Sequence, residues 1–411
     1  MLKLHRAWLI CAGATLLMFI STGMVVNTLT VYLPYILTEY GLSNGEGSLI
    51  NTIRCLSSLG SMFFVEAYYR KLGLRRGTAL AMALCVLSYV LYGLARSFPG
   101  FCLGAVVGGI GCSFGGIVAA TVAIDTWFSG SRGTAMGLCT AGSGLAMVIL
   151  PPVLTKILEA AGVSAAFLSE AAMMAALSVL ILLIFRKETP AAAGLTPYGV
   201  QEQIQTQAAA KKGLSHGYFL ALLLAMAFVG SVGGPGFNHL PVLYSSQGYD
   251  SMTVALGMSL IGFVLVVGKC LFGVITDRIG AYRTNFLFLG LLVLGFIFCC
   301  AASGKAWTLY AAQFCLGVGM CVCTVGLPVW AGDLTDPAQH ARTVQRFQTA
   351  YSIGALLFSP VPGFVADLWG SYVPSYVLFT VQAAVILLIL QLAYRQSEIR
   401  PKIEGVSPKS Y

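Results

Sequence analysis

The stretch Gly268-Lys269-Cys270-Leu271-Phe272-Gly273-Val274-Ile275-Thr276-Asp277-Arg278-Ile279-Gly280 starts as a hydrophobic segment and ends in a charged turn. Its first part continues an apolar run that begins near residue 252 and holds one lysine. A lysine inside an apolar run of membrane-spanning length costs roughly 2.5–3.5 kcal/mol on insertion scales, so its presence calls for a reason. The second part, Gly-x-x-x-Asp-Arg-x-Gly, packs charge and glycine into a few residues. That composition suits a short loop between two spanning helices.

The whole chain agrees with this start. Of 411 residues, 57% are hydrophobic and 9% charged, and the mean hydropathy is +0.83. Soluble domains average about 25% charged residues, so the composition implies a polytopic membrane protein. The net charge of +9 does not point to nucleic acid, because the basic residues fall in short loops between apolar runs. Most of the twelve cysteines lie inside those runs, among them Cys85, Cys112, Cys299, Cys300 and Cys315. They read as small packing residues rather than a disulfide or metal framework.

A spanning helix needs about 20 mostly apolar residues. Twelve such runs are present, at about 8–34, 47–69, 77–95, 98–124, 134–157, 165–185, 217–241, 252–276, 284–302, 306–332, 343–366 and 372–394. The spacing therefore predicts an all-α membrane protein with residues 1–185 and 217–394 as two six-helix bundles. Residues 186–216, with prolines, glutamines and Lys211-Lys212, read as a cytoplasmic linker, and 395–411 as a cytoplasmic tail. If the N-terminus is inside, nineteen Lys and Arg lie on the cytoplasmic side and three (Arg96, Lys156, Lys305) outside. That asymmetry predicts a multi-pass cell-membrane protein with both termini inside; we expect a prokaryotic one.

The halves echo each other. Gly73-Leu74-Arg75-Arg76 corresponds to Gly280-Ala281-Tyr282-Arg283 at an offset of 207, and Thr140-Ala141-x-Ser143 to Thr349-Ala350-x-Ser352 at 209. Such duplication is how many secondary transporters build a midplane site between two halves that rock.

With these features on view, the chain resembles the major facilitator superfamily. The residues Trp127-Phe128, Arg132-Gly133, Gly137 and Ala141-Gly142-Ser143-Gly144 resemble its oxalate/formate antiporter and monocarboxylate transporter branch. So do Gly268-Lys269 and Gly363-x-x-x-Asp367-x-x-Gly370-Ser371-Tyr372. The resemblance implies a secondary transporter with a small anionic substrate, a surrounding lipid bilayer and a coupling ion, either a proton or an exchanged anion. It also implies a cytoplasmic gate at Gly273, Asp277, Arg278 and Gly280, joined by Asp125, Arg132, Asp333 and Arg342. The chain departs from the pattern in three places. Arg70 stands where the first-half copy of the gate has an aspartate, and Glu66 is the nearest acid. Gln348 stands about where oxalate antiporters carry a lysine, and Leu265 where proton symporters carry an aspartate.

The candidate substrate contacts start from the two cations inside predicted helices, Arg54 and Lys269. A guanidinium suits a planar anion because it can hold a carboxylate bidentately. Either cation can also snorkel to a headgroup, and sequence leaves that choice open. Asn27, Tyr32, Gln348 and Tyr351 are the weaker candidates, with Tyr35 and Trp330 as further cavity or packing residues. Glu170, Asp250 and His239 lie near predicted outer ends, where such groups are usually solvated. Gly104, Gly108, Gly111 and Gly115 are spaced for close helix approach. Pro151-Pro152 and Pro360/Pro362 are placed to bend their helices.

These readings favour transport of a small mono- or dicarboxylate by alternating access. The alternatives are a transporter or multidrug exporter for a non-carboxylate solute, and a transport-inactive nutrient sensor. No cofactor, metal or nucleic acid is expected, and nothing suggests an enzyme.

Overall fold

The computed structural model describes residues 6–128, 132–186, 189–191, 194–198, 216–301, 305–335 and 340–396. Most of the expected linker, and the tail beyond Gln396, lie outside the described residues. What is described is almost entirely helical. Ten stretches are long and apolar enough to span a membrane. One of them, Thr134–Ile184, folds back at Gly162 and supplies two. Asn44–Met62 completes the set of twelve.

In chain order these are α1 (Arg6–Tyr40), α2 (Asn44–Met62, resuming at 65–72) and α3 (74–94). Then come α4 (Phe98–Trp127), α5 (132–161) and α6 (163–184). The second half holds α7 (Gly217–Asn238, continued by Leu240–Ser246), α8 (Ser251–Ile279) and α9 (Ala281–Cys300). It closes with α10 (Ala306–Leu334), α11 (Arg342–Trp369) and α12 (Val373–Gln396). The second helix is the least apolar because Asn44, Ser48, Asn51, Arg54 and Ser58 share it.

Buried apolar residues gather into two cores. One is made of α1–α6, and the other of α7–α12 with Leu33 and Met147 reaching in from the first half. The remaining large apolar side chains, Leu183, Phe286 and Leu388 among them, are exposed on the outside of the bundles, as a lipid-facing surface requires.

Glycines with positive φ expose the duplication. Gly41, Gly73 and Gly162 pair with Gly248, Gly280 and Gly370 at separations of 207, 207 and 208 residues. Each ends one helix and reverses the chain into the next, a conformation that disfavours any residue with a Cβ. Gly73 and Gly280 lie at the face where α1 starts and α12 ends, here the terminal face. The other four lie at the opposite, far face.

The small residues of α4 do what their spacing predicts. A Cβ on Gly104, Gly108, Gly111 or Gly115 would meet Tyr92, Ser88, Cys85 or Met82 of α3 within 3 Å. The prolines interrupt a helix in one half only. The fifth helix passes through Pro151-Pro152 in helical geometry, whereas α11 is interrupted at Ser359-Pro360. Another departure is in α1, where Phe19–Thr28 forms a π-helical stretch that no sequence signal announced.

Candidate functional site

The polar residues of α2 fall at Asn44, Ser48, Asn51 and Arg54, a spacing that keeps them on one helix face. That face meets the other half. At the far end, Asp367 of α11 accepts from the backbone N–H groups of Asn44 (3.0 Å) and Gly45 (2.6 Å) and from the Asn44 side-chain amide. Tyr372 donates to Asn44 Oδ1 at 2.7 Å. One turn deeper, Ser48 Oγ lies 2.8 Å from His239 Nε2. The other ring nitrogen, Nδ1, is 3.0 Å from the Pro235 carbonyl, so it carries the hydrogen and Ser48 donates to Nε2. Deeper still, Asn51 Nδ2 donates to Ser359 Oγ at 3.2 Å. Asn44, Ser48 and Asn51 thus tie the two halves together by a ladder of hydrogen bonds that lie toward the far face.

Below the ladder is a cavity of about 290 Å³ between the halves. Arg54 and Cys55 line it from α2, and Thr22, Val26 and Asn27 from the π-helical part of α1. Across from them, Ile261, Leu265 and Lys269 of α8 recur one turn apart and present a single stripe. Tyr351 of α11 and Cys323 and Thr324 of α10 close the wall. Arg54 is 4% exposed, which settles the choice against snorkelling for that residue. Its Nε and Nη2 both donate to Asn51 Oδ1, at 3.2 and 2.7 Å. The lysine is half-buried, with its neighbour Gly268 close against Cys321.

Four of the six sequence candidates, Arg54, Lys269, Asn27 and Tyr351, thus line one cavity. The other two sit elsewhere. Tyr32 is fully buried within the first half, stacked on Phe167 and donating to Glu170 Oε2 at 2.6 Å. Gln348 is exposed. Trp330 is buried and donates to Asn285 Oδ1 at 2.9 Å.

Two expectations of solvated groups are corrected. Glu170 and His239 are fully buried, because α1 and α3 cover the first and α2 covers the second. Asp250 is the exposed N-cap of α8 and accepts from the Thr253 N–H at 2.8 Å. The hydrogen bonds from Thr253 hold its carboxyl below the usual aspartate range.

At the expected gate, Gly280 has the positive φ of 81° that the turn needs, Gly273 has open space beside it, and Arg278 and Asp125 are exposed. The side chains of Asp277 and Arg132 lie outside the described residues. In the first-half copy, Arg70 and Glu66 form a 3.8 Å pair exposed to solvent. Such a pair adds little.

Two helical bundles around a shared cavity lined by Arg54 and Lys269 have the architecture of a membrane carrier. The sequence profile of the Major Facilitator Superfamily matches residues 15–304 and 253–409, and the chain belongs to that family of transporters. It is 25% identical over 379 residues to MFS-type transporter 1 of Ophiocordyceps sp., covering 89% of this chain and 80% of that one. The oxalate:formate antiporter of Oxalobacter formigenes is 27% identical over 303 residues, covering 70% and 68%. Monocarboxylate transporter 12 of Rattus norvegicus is 22% identical over 400 residues, covering 90% and 82%. Fungal, bacterial and mammalian relatives together do not support a prokaryotic origin for the chain. Its fold matches the nucleoside transporter NupG with a TM-score of 0.71 at 12% identity, over 94% of this chain and 100% of the other.

Proposed function

We propose that this transporter carries a small organic anion, a mono- or dicarboxylate, with Arg54 and Lys269 as its two cationic contacts. One observation carries the reading: the two cations come from opposite halves and line the same cavity. In a water-poor site their positive potential favours an anion, and the simplest anion is the cargo. A carboxylate taken by Arg54 on one side and Lys269 on the other would draw the halves together, which is what an alternating-access cycle requires of its substrate. Asn27 and Tyr351 add polar contacts on the cavity wall. The basic residues of the terminal-face loops support a cytoplasmic location for that face.

The apolar walls, including Val26, Phe237, Ile261 and Leu265, favour one second reading, an anion with an apolar body. A thermal-shift screen of the purified protein separates the two. Small carboxylates raising the melting temperature by mass action support the first. A response confined to larger, partly apolar acids supports the second, and no response to any acid removes both.

A further inference from the structure

Glu170 lies eight residues into α6 from the turn at Gly162, roughly 12 Å along the helix axis. It takes no part in the cavity just described. Its side chain is fully buried, and its two oxygens meet only hydroxyls. Oε2 is 2.6 Å from the Tyr32 hydroxyl, and Oε1 is 2.8 Å from Thr28 Oγ1. Among the described residues no cation is hydrogen-bonded to it.

Counting hydrogens assigns its charge state. Thr28 Oγ1 is also 2.5 Å from the Met24 carbonyl, and the Tyr89 hydroxyl donates to that same carbonyl. Four close oxygen–oxygen contacts therefore need four hydrogens. Thr28, Tyr32 and Tyr89 supply three, because each hydroxyl has one. Tyr32 gives its hydrogen to Glu170 and Tyr89 gives its own to Met24. If Thr28 donates to Glu170, its contact with Met24 is left as two acceptors pressed together. If Thr28 donates to Met24, the contact with Oε1 needs a hydrogen from Glu170 itself. A proton on the carboxyl satisfies all four contacts, and an ionised carboxylate satisfies three.

We propose that Glu170 is a proton-binding site of the transport cycle, so that the anion crosses together with a proton held on this carboxyl. The proposal rests on the anion reading above. The step is a simple protonation: an O–H bond forms at Glu170 from solvent on one side and breaks to solvent on the other, with no redox change. The ionisable groups facing the site are Tyr32 from α1 and Tyr89 from α3, whose hydroxyl lies 3.5 Å from Thr28 Oγ1. Arg54 of α2 is a buried cation of the same bundle. An ionised Glu170 would set a negative charge in the low-dielectric bundle that also buries Arg54. It would thereby weaken the positive potential offered to the anion. Protonation removes that competition, and by linkage the anion in turn favours the proton. The π-helical stretch gives the two sites a common support, since Asn27 lines the cavity and Thr28, the next residue, contacts Glu170. Segments of this kind frequently occur at functional sites.

The test has two arms. Infrared difference spectra of the purified protein, titrated from neutral to alkaline pH, read the proton directly. The carbonyl stretch of a buried protonated carboxyl should be present, be absent in Glu170→Gln, and shift in Thr28→Val, which removes the acceptor but keeps the acid. Absence of the band in the wild type would show an ionised Glu170 and overturn the proposal. In proteoliposomes, an inward proton gradient should accelerate uptake of a carboxylate found by the thermal-shift screen. In Glu170→Gln this acceleration should be lost while carboxylate exchange at equal pH survives. A gradient response unchanged in Glu170→Gln also overturns it. If the wild type binds and moves no carboxylate yet shows the titrating band, the anion reading fails and the proton site stands.

Discussion

Asp367 caps a helix that does not belong to its own half: its carboxylate accepts from the N–H groups of Asn44 and Gly45, the first two residues of α2. The opening turn of any helix has donors with no intrahelical acceptor and a positive dipole end. Here Ser43 Oγ takes the Glu46 N–H at 3.1 Å, and the Glu46 side chain takes the Ser43 N–H at 2.8 Å. The two donors left between them go to the other bundle. Opening the far face must therefore strip α2 of half its cap.

Replacing Asp367 by Ala or Asn should loosen that closure. Losing an N-cap costs about 0.5–2 kcal/mol, which corresponds to about a 2- to 30-fold rise in the open population. A cysteine placed at Ser359, behind the Asn51 contact, reports on it. Labelling by a bulky, impermeant maleimide should be slow in the native background and faster by that factor in Asp367→Ala. Equal rates would mean that the contact does not hold the face shut.

Arg54 links the cavity to the same ladder, because the Asn51 that holds its guanidinium also bonds Ser359. Arg54→Gln should abolish carboxylate uptake while leaving the protein folded, and so should Lys269→Gln. Arg54→Lys keeps the charge but loses the planar fork. At about 1.5–3 kcal/mol for a hydrogen bond to a charged group, it should weaken binding about 10- to 150-fold. Titrating the variants by thermal shift measures this. Full uptake in both Gln variants would remove the two cations from the anion site.

Twelve helices, two bundles and a cation on each side of the partition were all readable from apolar runs and from lysine and arginine out of place. The ladder was half readable. Asn44, Ser48, Asn51 and Arg54 carry a visible helical spacing, and Asp367 stood out in its motif. Nothing local says that the two stretches, more than 300 residues apart, meet. Glu170 and His239 were misread for a related reason. Their distance from a helix end suggested solvent, but burial depends on which neighbours cover that end, here Tyr32 and Ser48. The π-helical stretch in α1, where Gly23 abuts Ala146 of α5, carries no distinctive pattern in its ten residues.

Close helix crossings give a prediction about stability. A Cβ on Gly354 would fall 1.8 Å from the Ala227 carbonyl, and one on Gly230 would fall 1.9 Å from the Tyr351 carbonyl. Both join α7 to α11 beside the cavity, and backbone atoms cannot rotate away. Either Gly→Ala change should cost about 1–3 kcal/mol or more through overpacking. Gly137, with nothing near its Cβ position, is the control and should tolerate Ala. Melting temperatures in detergent should fall by several degrees for the first two and hold or rise for the third. A uniform response across all three would show that the crossings are slack.

The cavity also carries its own reporters. Cys55 and Cys323 line it from opposite halves, near Tyr351. A small permeant thiol reagent that reaches the cavity should therefore inactivate transport, and the transported carboxylate should slow the reaction by occupying the space between the two thiols. Protection scales with occupancy, so at a substrate concentration equal to its dissociation constant the rate should halve. Cys55→Ser with Cys323→Ser should leave a carrier that the reagent no longer blocks, although the other cysteines remain. The halving separates a site at this cavity from one elsewhere. A substrate that stabilises the protein against heat but leaves the alkylation rate of both thiols unchanged binds outside the space between Arg54 and Lys269, and the assignment of those cations would then have to be given up.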